Sequence, residues 1–416
     1  MRISLEPGIR KFWLLTISLS LALAYTVFVT RELVANLFGN RGDLESLNTA
    51  ARLQPGNALY RHRLGRYFEL IEHNAEAAAQ QYQAAAQLNP HSARYWLDLA
   101  ATYQLLDKRK EQTQALENGL HADPTTPDVA WQAANVYLVQ GETEKALRQF
   151  RVVLQSDGSL SPLALRLCWR ANPDVDALLQ NVIPSRPDAY IAFLELLIGK
   201  KETAGAAKVW SALVQTHQPF EPRHAFDYIK YLIAQREVDQ ARLVWQQAAA
   251  LLGYSAYLTS SSNLIVNGNF GLDVLNGGFD WNYAKQNSVE LMLDPSDFHG
   301  GHRSLSIVFD GPGVSDAGIF QFIPIQPNST YEFQAYYKAG EIEGAGGPLF
   351  TIHDPYSGKK YFESDELKNA DFWRPVNGVF TTAPETKLLL LRVERVPAGS
   401  PIRGKLWIDD LHLIEK

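Results

Sequence analysis

The sequence predicts a multidomain α plus β protein: an N-terminal transmembrane helix, an α-solenoid of helical hairpins and a C-terminal antiparallel β-sandwich. Three observations carry this prediction. Residues 12–30 hold no charged side chain. Between residues 55 and 253, similar residues recur every 34 or 35 positions, which is typical of stacked helical repeats. Beyond residue 263, short apolar-alternating runs are separated by Gly, Pro, Asn and Asp, as in an all-β sandwich.

The composition is that of a folded protein with two or three domains. The 416 residues are 46% hydrophobic and 20% charged, and the net charge is −6. The chain has no tract rich in Lys and Arg, so the sequence argues against a nucleic-acid partner. Cys168 is the single cysteine, which excludes an intrachain disulfide. Its apolar surroundings predict a small buried side chain.

The segment "FWLLTISLSLALAYTVFVT", residues 12–30, predicts a transmembrane signal anchor. As a helix it spans about 28 Å, close to the hydrocarbon thickness of a bilayer. Basic residues in the first eleven positions predict a cytoplasmic N-terminus for residues 1–11, with the remainder translocated. The alternative is a cleaved signal sequence ending at Ala22-Leu23-Ala24. Both interpretations export the chain, and residues 31–54 are predicted to form a juxtamembrane helix or linker.

The repeat spacing defines the solenoid, residues 55–253. Pro55, Pro90, Pro124 and Gly158 are separated by 35, 34 and 34 residues. One hairpin cannot bury its apolar face alone, so such units stack in a row. Farther on, "AAKVWSALV" and "ARLVWQQAA" place two tryptophans 35 residues apart.

These units resemble tetratricopeptide repeats. The best-matched unit reads "ARYWLDLAATYQLLDKRKEQTQALENGLHADP", and the next reads "PDVAWQAANVYLVQGETEKALRQFRVVLQSDG". The resemblance implies a protein partner in the concave groove formed by the first helix of each unit. The groove positions carry over to nine residues: His62, Arg66, Glu69, Arg94, Leu97, Gln104, Asp128, Trp131 and Asn135. They do not reproduce the Lys, Asn and Arg set that clamps a peptide carboxylate. The alternative is that they are solvated helix faces.

Residues 254–262 are predicted as a linker, and residues 263–416 as one sandwich. In "YEFQAYYKAG", Tyr331, Phe333, Ala335 and Tyr337 alternate with polar residues and Tyr336. The order of "NLIVNGNFGLDVLNGGFDW", "HGGHRSLSI", "FQFIPIQPNSTYEFQAYYKA" and "GKLWIDDLHLI" resembles jelly-roll carbohydrate-binding modules with a galactose-binding-like fold.

This resemblance implies sugar binding by stacked aromatic rings flanked by amide and charged side chains. The alternation places Tyr336 outward between Gln334 and Lys338, and Tyr336 and Tyr356 are the first candidates. The further candidates on loops are Tyr283 and Tyr361. The alternative for each tyrosine is that it is a half-buried packing residue that contacts no ligand.

The resemblance also implies a structural calcium ion near the termini of the sandwich, with Asp409 and Asp410 as ligands. Gly271 stands where the resemblance expects an acidic ligand. No other cofactor is implied. His299 and His302 in "HGGHRSLSI" have the spacing of a metal pair, but no third ligand lies nearby in sequence, so a tight turn before a strand is predicted.

No catalytic motif is present. The acidic cluster Glu363, Asp365 and Glu366 lies in a predicted loop, where carboxylates are usually solvated. The sequence therefore predicts a non-enzymatic scaffold of the bacterial inner membrane, with its bulk on the periplasmic side. The solenoid would recruit a protein and the sandwich would bind a glycan, in polysaccharide export or envelope assembly. The alternatives are an assembly factor that binds only proteins, and an enzyme acting on polysaccharides.

Overall fold

A computed structural model describes residues 8–156, 161–259 and 263–416 of the chain. Helices are followed by two antiparallel sheets, which confirms the predicted fold class. The chain divides into two compact units, residues 1–184 and 185–416. Parts of three predictions lie outside the described residues: residues 1–7 of the cytoplasmic segment, Gly158 of the repeat spacing and residues 260–262 of the linker.

The first unit is helical. Its helices are α1 (Gly8–Gly39), α2 (Leu44–Leu53), α3 (Ala58–Leu70), α4 (Ala75–Leu88), α5 (Ala93–Leu105), α6 (Arg109–Ala122), α7 (Pro127–Gln140), α8 (Thr143–Ser156), α9 (Ser161–Ala171) and α10 (Val175–Asn181). Side-chain caps begin several of them, as where Asp43 accepts from the Ser46 N–H and Asn74 from the Ala77 N–H. The predicted hairpins are α3–α4, α5–α6 and α7–α8. Helices α3 and α4 pack closely, since a Cβ on Gly65 would lie 2.5 Å from the Tyr82 ring.

The second unit begins with four helices: α11 (Pro187–Lys200), α12 (Thr203–Gln215), α13 (Pro222–Ala234) and α14 (Val238–Leu252). Proline at the first helical position starts α11 and α13, where its missing N–H costs no hydrogen bond. A 3₁₀ turn, Ser255–Tyr257, follows, and the Tyr257 hydroxyl donates to the Asp273 carbonyl at 2.8 Å.

The sandwich consists of two five-stranded antiparallel sheets. Its strands are β1 (Asn282–Tyr283), β2 (Val289–Asp294), β3 (Ser304–Gly311), β4 (Asp316–Pro324), β5 (Thr330–Gly344), β6 (Gly347–His353), β7 (Lys360–Glu363), β8 (Ala370–Thr381), β9 (Leu388–Val396) and β10 (Ile402–Glu415). Sheet I has the order β1-β4-β9-β6-β7, and sheet II has the order β2-β3-β10-β5-β8. Tyr331, Phe333, Ala335 and Tyr337 of β5 are buried between the sheets, as the alternation predicts.

The helical hairpin α13–α14 packs against the sandwich within this unit. The Trp245 and Phe279 rings meet edge to face with centroids 6.2 Å apart. A Cβ on Gly278 would lie 2.1 Å from the Trp245 ring, so only glycine permits this approach. The Lys387 ammonium pairs with the Asp239 carboxylate at 2.6 Å. The predicted domain boundary at residues 254–262 follows a change in composition. The two compact units instead divide between residues 184 and 185, so the predicted boundaries stay predictions.

Candidate functional site

A cleft of about 470 Å³ opens at one edge of the sandwich, between β1 of sheet I and β2 of sheet II. Its walls are mostly apolar, and its polar side chains are Lys285, Gln286 and Glu290. The lining includes Val274, Tyr283, Val289, Leu291, Met292, Leu293, Leu305, Ala317 and Ile319. Concave, mostly apolar sites of this size with a few polar groups are typical of small-ligand binding.

Tyr283 is the predicted sugar-binding residue that lies in this cleft, and 48% of its surface is exposed. Two hydrogen bonds from backbone N–H groups hold its strand: the Tyr283 N–H donates to the side-chain Oδ1 of Asn276 at 2.9 Å, and the Ala284 N–H donates to the Gly318 carbonyl at 2.7 Å. Gly318 has φ +75°, and a Cβ there would lie 2.5 Å from the Ala284 carbonyl oxygen. Glycine at 318 therefore lets β1 come close enough to place Tyr283 at the rim.

Tyr336 projects from the outer face of sheet II, as predicted, but a second ring covers one of its faces. The His299 ring is stacked on it with centroids 3.6 Å apart and planes 12° from parallel. The His299 Nδ1 lies 2.6 Å from the Asp410 Oδ2, which fixes the imidazole in this position. His299 itself lies in the connection between β2 and β3, which confirms the predicted turn.

Trp407 lies on the same face and was missed by the sequence analysis. The Lys405 and Lys338 ammonium groups lie 4.3 and 5.5 Å from its ring centroid, and its Nε1 donates to the Asp294 Oδ2 at 2.9 Å. Hydrogen bonds from Ser296, and from Trp407 and Lys405, hold the pKa of Asp294 well below its usual range. The alternation of Leu406, Trp407 and Ile408 is the sequence signal that places this tryptophan outward.

Gln334 and Lys338 flank Tyr336, as predicted, and both have partners within the sandwich. The Gln334 Nε2 donates to the Tyr336 hydroxyl at 3.4 Å, and the Lys338 Nζ donates to the Asp297 Oδ2 at 2.6 Å. This face of sheet II therefore presents paired charges and partly covered rings.

Tyr356 and Tyr361, the remaining predicted sugar contacts, are engaged in packing. The Tyr356 hydroxyl donates to the Ile233 carbonyl at 2.8 Å, the Arg236 guanidinium lies 5.2 Å from its ring centroid, and burial raises its pKa to about 12. The Tyr361 hydroxyl lies 2.7 Å from the Thr386 Oγ1 and accepts from the Ala383 N–H at 3.1 Å. A role in sugar binding stays a prediction for both, and their geometry favours packing.

The two predicted calcium ligands, Asp409 and Asp410, do not form a donor set that fits the ion. Asp409 is fully buried and accepts from the N–H groups of His299, Gly300 and Asp410 at 2.8, 3.0 and 2.8 Å. Burial raises the pKa of Asp409. Asp410 pairs with His299, and within the described ranges no three His, Cys, Asp or Glu side chains converge as a metal site. Calcium needs at least six oxygen ligands, whereas backbone N–H groups surround this carboxylate.

The predicted groove residues of the solenoid divide by exposure. Arg66, Arg94, Gln104 and Asp128 are exposed, and Glu69, Trp131 and Asn135 are half-buried. His62 and Leu97 are buried, which leaves little of either side chain free for a partner. His62 lies between the Tyr82 and Tyr95 rings, with its Nε2 2.5 Å from the Asp98 Oδ2, because the helix pairs close over it.

The acidic cluster predicted to be solvated forms surface ion pairs. Glu363 pairs with Lys360, and Glu366 pairs with Lys368 at 2.5 Å. These pairs are exposed to solvent and do not face each other across the cleft.

Comparisons with known proteins find separate similarities for the β part and the helical part of the chain. No protein-family model and no curated protein matches the sequence. Over its β part the chain is similar to a family 16 carbohydrate-binding module (21% identity, TM-score 0.27, 37% of this chain and 100% of that one). It is also similar to a structure titled "CBM4 structure and function" (18% identity, TM-score 0.27, 36% of this chain and 99% of that one). Over its helical part it is similar to the tetratricopeptide-like protein PilF of Pseudomonas aeruginosa (16% identity, TM-score 0.27, 54% of this chain and 95% of that one).

Proposed function

We propose that this protein is a membrane-anchored, non-enzymatic scaffold whose β-sandwich binds a glycan and whose solenoid recruits a protein. The observation that carries the glycan part is the exposed Tyr283 ring at the rim of the edge cleft. The protein would act on the far side of a bacterial inner membrane, in polysaccharide export or envelope assembly.

The cleft has the chemistry that a sugar ring requires. A pyranose presents C–H groups to a flat aromatic face and hydroxyl groups to polar side chains at its rim. Tyr283 supplies the ring, while Lys285, Gln286 and Glu290 supply donors and acceptors along the same opening. A stacking platform needs an accessible face. Among the predicted tyrosines, Tyr336 has one face under His299, whereas Tyr356 and Tyr361 bond their hydroxyls internally. Tyr283 is therefore the first choice.

The outer face of sheet II is the second position for the glycan. Tyr336, Gln334 and Lys338 lie together there beside Trp407, and each has a half-exposed side chain. Binding at this face requires the sugar to displace His299 or to meet the uncovered ring edges.

The membrane part rests on α1. This helix is long and apolar enough to cross a membrane by length and composition, with a mean hydropathy of 2.0 over its most apolar 18 residues. The helix continues without a break through Ala22-Leu23-Ala24 to Gly39, as an uncleaved anchor requires.

The protein-binding part rests on the exposed groove side chains. Arg66, Arg94 and Asp128 present both signs of charge on the first helices of successive repeats, and Trp131 is half-buried on the third of these helices. Such a surface suits an amphipathic peptide segment, with the aromatic residue as the anchor. The mixed charge does not favour a peptide carboxylate as the main recognition element.

A glycan array tests the central part of this proposal. The full chain is purified in detergent and compared with the Tyr283→Ala variant and with Phe372→Ala as the matched control. Phe372 is an aromatic residue of the same sandwich, lies outside the cleft lining and is 83% exposed. We expect a specific glycan signal that Tyr283→Ala abolishes and Phe372→Ala preserves. A signal that survives Tyr283→Ala but falls in Tyr336→Ala would move the site to sheet II. No binding across the array would favour the purely protein-binding alternative.

A further inference from the structure

Helix α1 belongs to two environments. Its N-terminal part exposes Phe12, Leu15, Leu19 and Leu23 along the uncharged stretch. Its last turns pack in the solenoid, where Ala35 is fully buried in a cluster with Leu47 and Tyr60. The Arg63 guanidinium donates to the Gly39 carbonyl at 2.7 Å. The end of α1 therefore serves as the first helix of a hairpin with α2, and the apolar part extends beyond one edge of the solenoid.

The residues at that edge can be placed along α1. Phe28 and Arg31 line a recess of about 640 Å³ together with Leu59 and Leu88. Arg31 also donates through Nε to the carbonyl of Leu53, the last residue of α2. Phe28 lies two residues, or about 3 Å, before the end of the uncharged stretch at Thr30. Leu59 and Leu88 therefore lie at the level where the apolar stretch ends.

This edge, formed by residues 54–59 and 88–96, is here called the proximal edge. Leu59 and Leu88 are 40% and 42% exposed there. Tyr95 lines the same recess, and the Trp96 indole N–H donates to the Pro90 carbonyl at 2.9 Å. Exposed leucines beside Tyr and Trp are the side chains that favour a membrane–water interface. His91 is also exposed at this edge, where its imidazole can contact lipid headgroups.

The opposite edge of the solenoid provides an internal comparison. Gly39 shares a second recess with Leu70 and Ile71. Gly39 lies eleven residues after Phe28, which is about 16 Å farther along the axis of α1. Leu70 and Leu105 end successive first helices of the repeats and are 56% and 69% exposed. They are at least as apolar and as exposed as the proximal leucines, but lie away from the end of the apolar stretch.

We propose that the proximal edge lies on the lipid surface, with Leu59 and Leu88 in the interfacial layer. The inference rests on the proposed membrane anchor and adds a fixed orientation to it. Because α1 is continuous and its end is built into the solenoid core, the first repeats would stand on the bilayer instead of swinging on a flexible tether. The distal edge, with Leu70 and Leu105, would face away from the membrane.

Depth-dependent fluorescence quenching tests this orientation with the full chain in vesicles of phosphatidylcholine and phosphatidylglycerol. Single cysteines are introduced as Leu59→Cys and Leu88→Cys, with Leu70→Cys and Leu105→Cys as matched controls. Tyr25→Cys reports on the anchor itself. Each is labelled with an environment-sensitive dye and quenched by lipids that carry a nitroxide on the headgroup or on the acyl chain. The native Cys168 is buried, and burial raises its pKa to about 12, so it will not label.

We expect headgroup quenching at positions 59 and 88 to exceed that at 70 and 105 several-fold, and acyl-chain quenching at position 25. If position 25 is quenched while 59 and 88 match 70 and 105, the anchor stands and the inference about the edge is wrong. If position 25 is not quenched and the chain does not float with the vesicles, the membrane anchor itself is wrong. Two independent proximal positions guard against a folding defect in either variant.

Discussion

Asp280 is a buried carboxylate whose charge is poorly compensated. It lies in the loop before β1, is fully buried, and accepts from the Leu275 N–H through Oδ2 at 2.7 Å. Its Oδ1 has no hydrogen-bond partner among the described residues. Burial raises its pKa to about 7, because desolvation penalises the ionised form. The native protein therefore holds a proton that the unfolded chain releases at lower pH.

This difference predicts a pH-dependent stability. Between about pH 4 and pH 7 the native state binds more protons at this site than the unfolded state, so the free energy of unfolding falls as pH rises. Asp280→Asn keeps an acceptor for the Leu275 N–H and removes the charge. At pH 8 we expect the variant to have a free energy of unfolding higher than that of wild type by on the order of 1–3 kcal/mol, and hence a higher melting temperature; near pH 4 we expect the two to match. Thermal unfolding of both proteins at both pH values measures this. A difference in stability between variant and wild type that is the same at pH 4 and pH 8 would contradict it.

Asp409 connects the terminal strand β10 to the turn at His299. Its carboxylate accepts from three backbone N–H groups inside the sandwich. Asp409→Ala leaves those donors unpaired, so we expect a loss of stability of about 2–4 kcal/mol. Because the surrounding groups are donors, a chelator such as EDTA should leave the melting temperature of the wild type unchanged. A fall in melting temperature with EDTA that calcium restores would show a structural ion after all.

At the residue scale, the sequence predicts which side chains face the core better than which face a ligand. Alternation alone places Tyr331, Phe333 and Ala335 inside, and all three are fully buried. It also places Tyr336 outside, but it cannot show that His299, 37 residues earlier in the chain, covers the ring. That contact arises from the fold, since Asp410 of β10 fixes the imidazole. The alternation of apolar and polar residues therefore does not show which outward-facing rings have a face free for a ligand.

At the scale of elements, the contact between α14 and the sandwich depends on glycine. Gly278 has φ +61°, and a Cβ there would lie 2.1 Å from the Trp245 ring. We expect Gly278→Ala to lower the free energy of unfolding of the protein by about 2 kcal/mol or more, because strain and overpacking add. Gly358→Ala is the matched control, since Gly358 has φ +73° and nothing within 4 Å of its Cβ position. Equal losses in urea unfolding would show that the contact with Trp245 contributes nothing.

The helical repeats illustrate what period and composition can predict. The spacing of Pro55, Pro90 and Pro124 matches the loops before α3, α5 and α7, because each proline lies in the turn that ends one hairpin and starts the next. Residues 31–54 are predicted as a juxtamembrane helix or linker, and this leaves open that α1 runs unbroken to Gly39 and that Ala35 packs in the core, because the apolar side chains of residues 31–39 suit either a linker helix or a core.

At the scale of the whole molecule, two long-range contacts could not be predicted from the sequence. The change from helical to alternating period near residue 253 predicts where helices give way to strands. It does not predict that Trp245 packs on Phe279, or that Tyr356 bonds to Ile233, since neither pair is marked by a motif. The location of the edge cleft depends in the same way on which strands become the sheet edges.

The central claim is that one chain holds a glycan at a membrane, and vesicle flotation tests it most directly. The full chain is reconstituted in vesicles and mixed with a labelled polymer of the glycan that the array identifies. We predict that the polymer floats with vesicles carrying the wild type, stays at the bottom with Tyr283→Ala, and floats normally with Phe372→Ala. Polymer that remains at the bottom with the wild type, although the protein itself floats, would contradict the account.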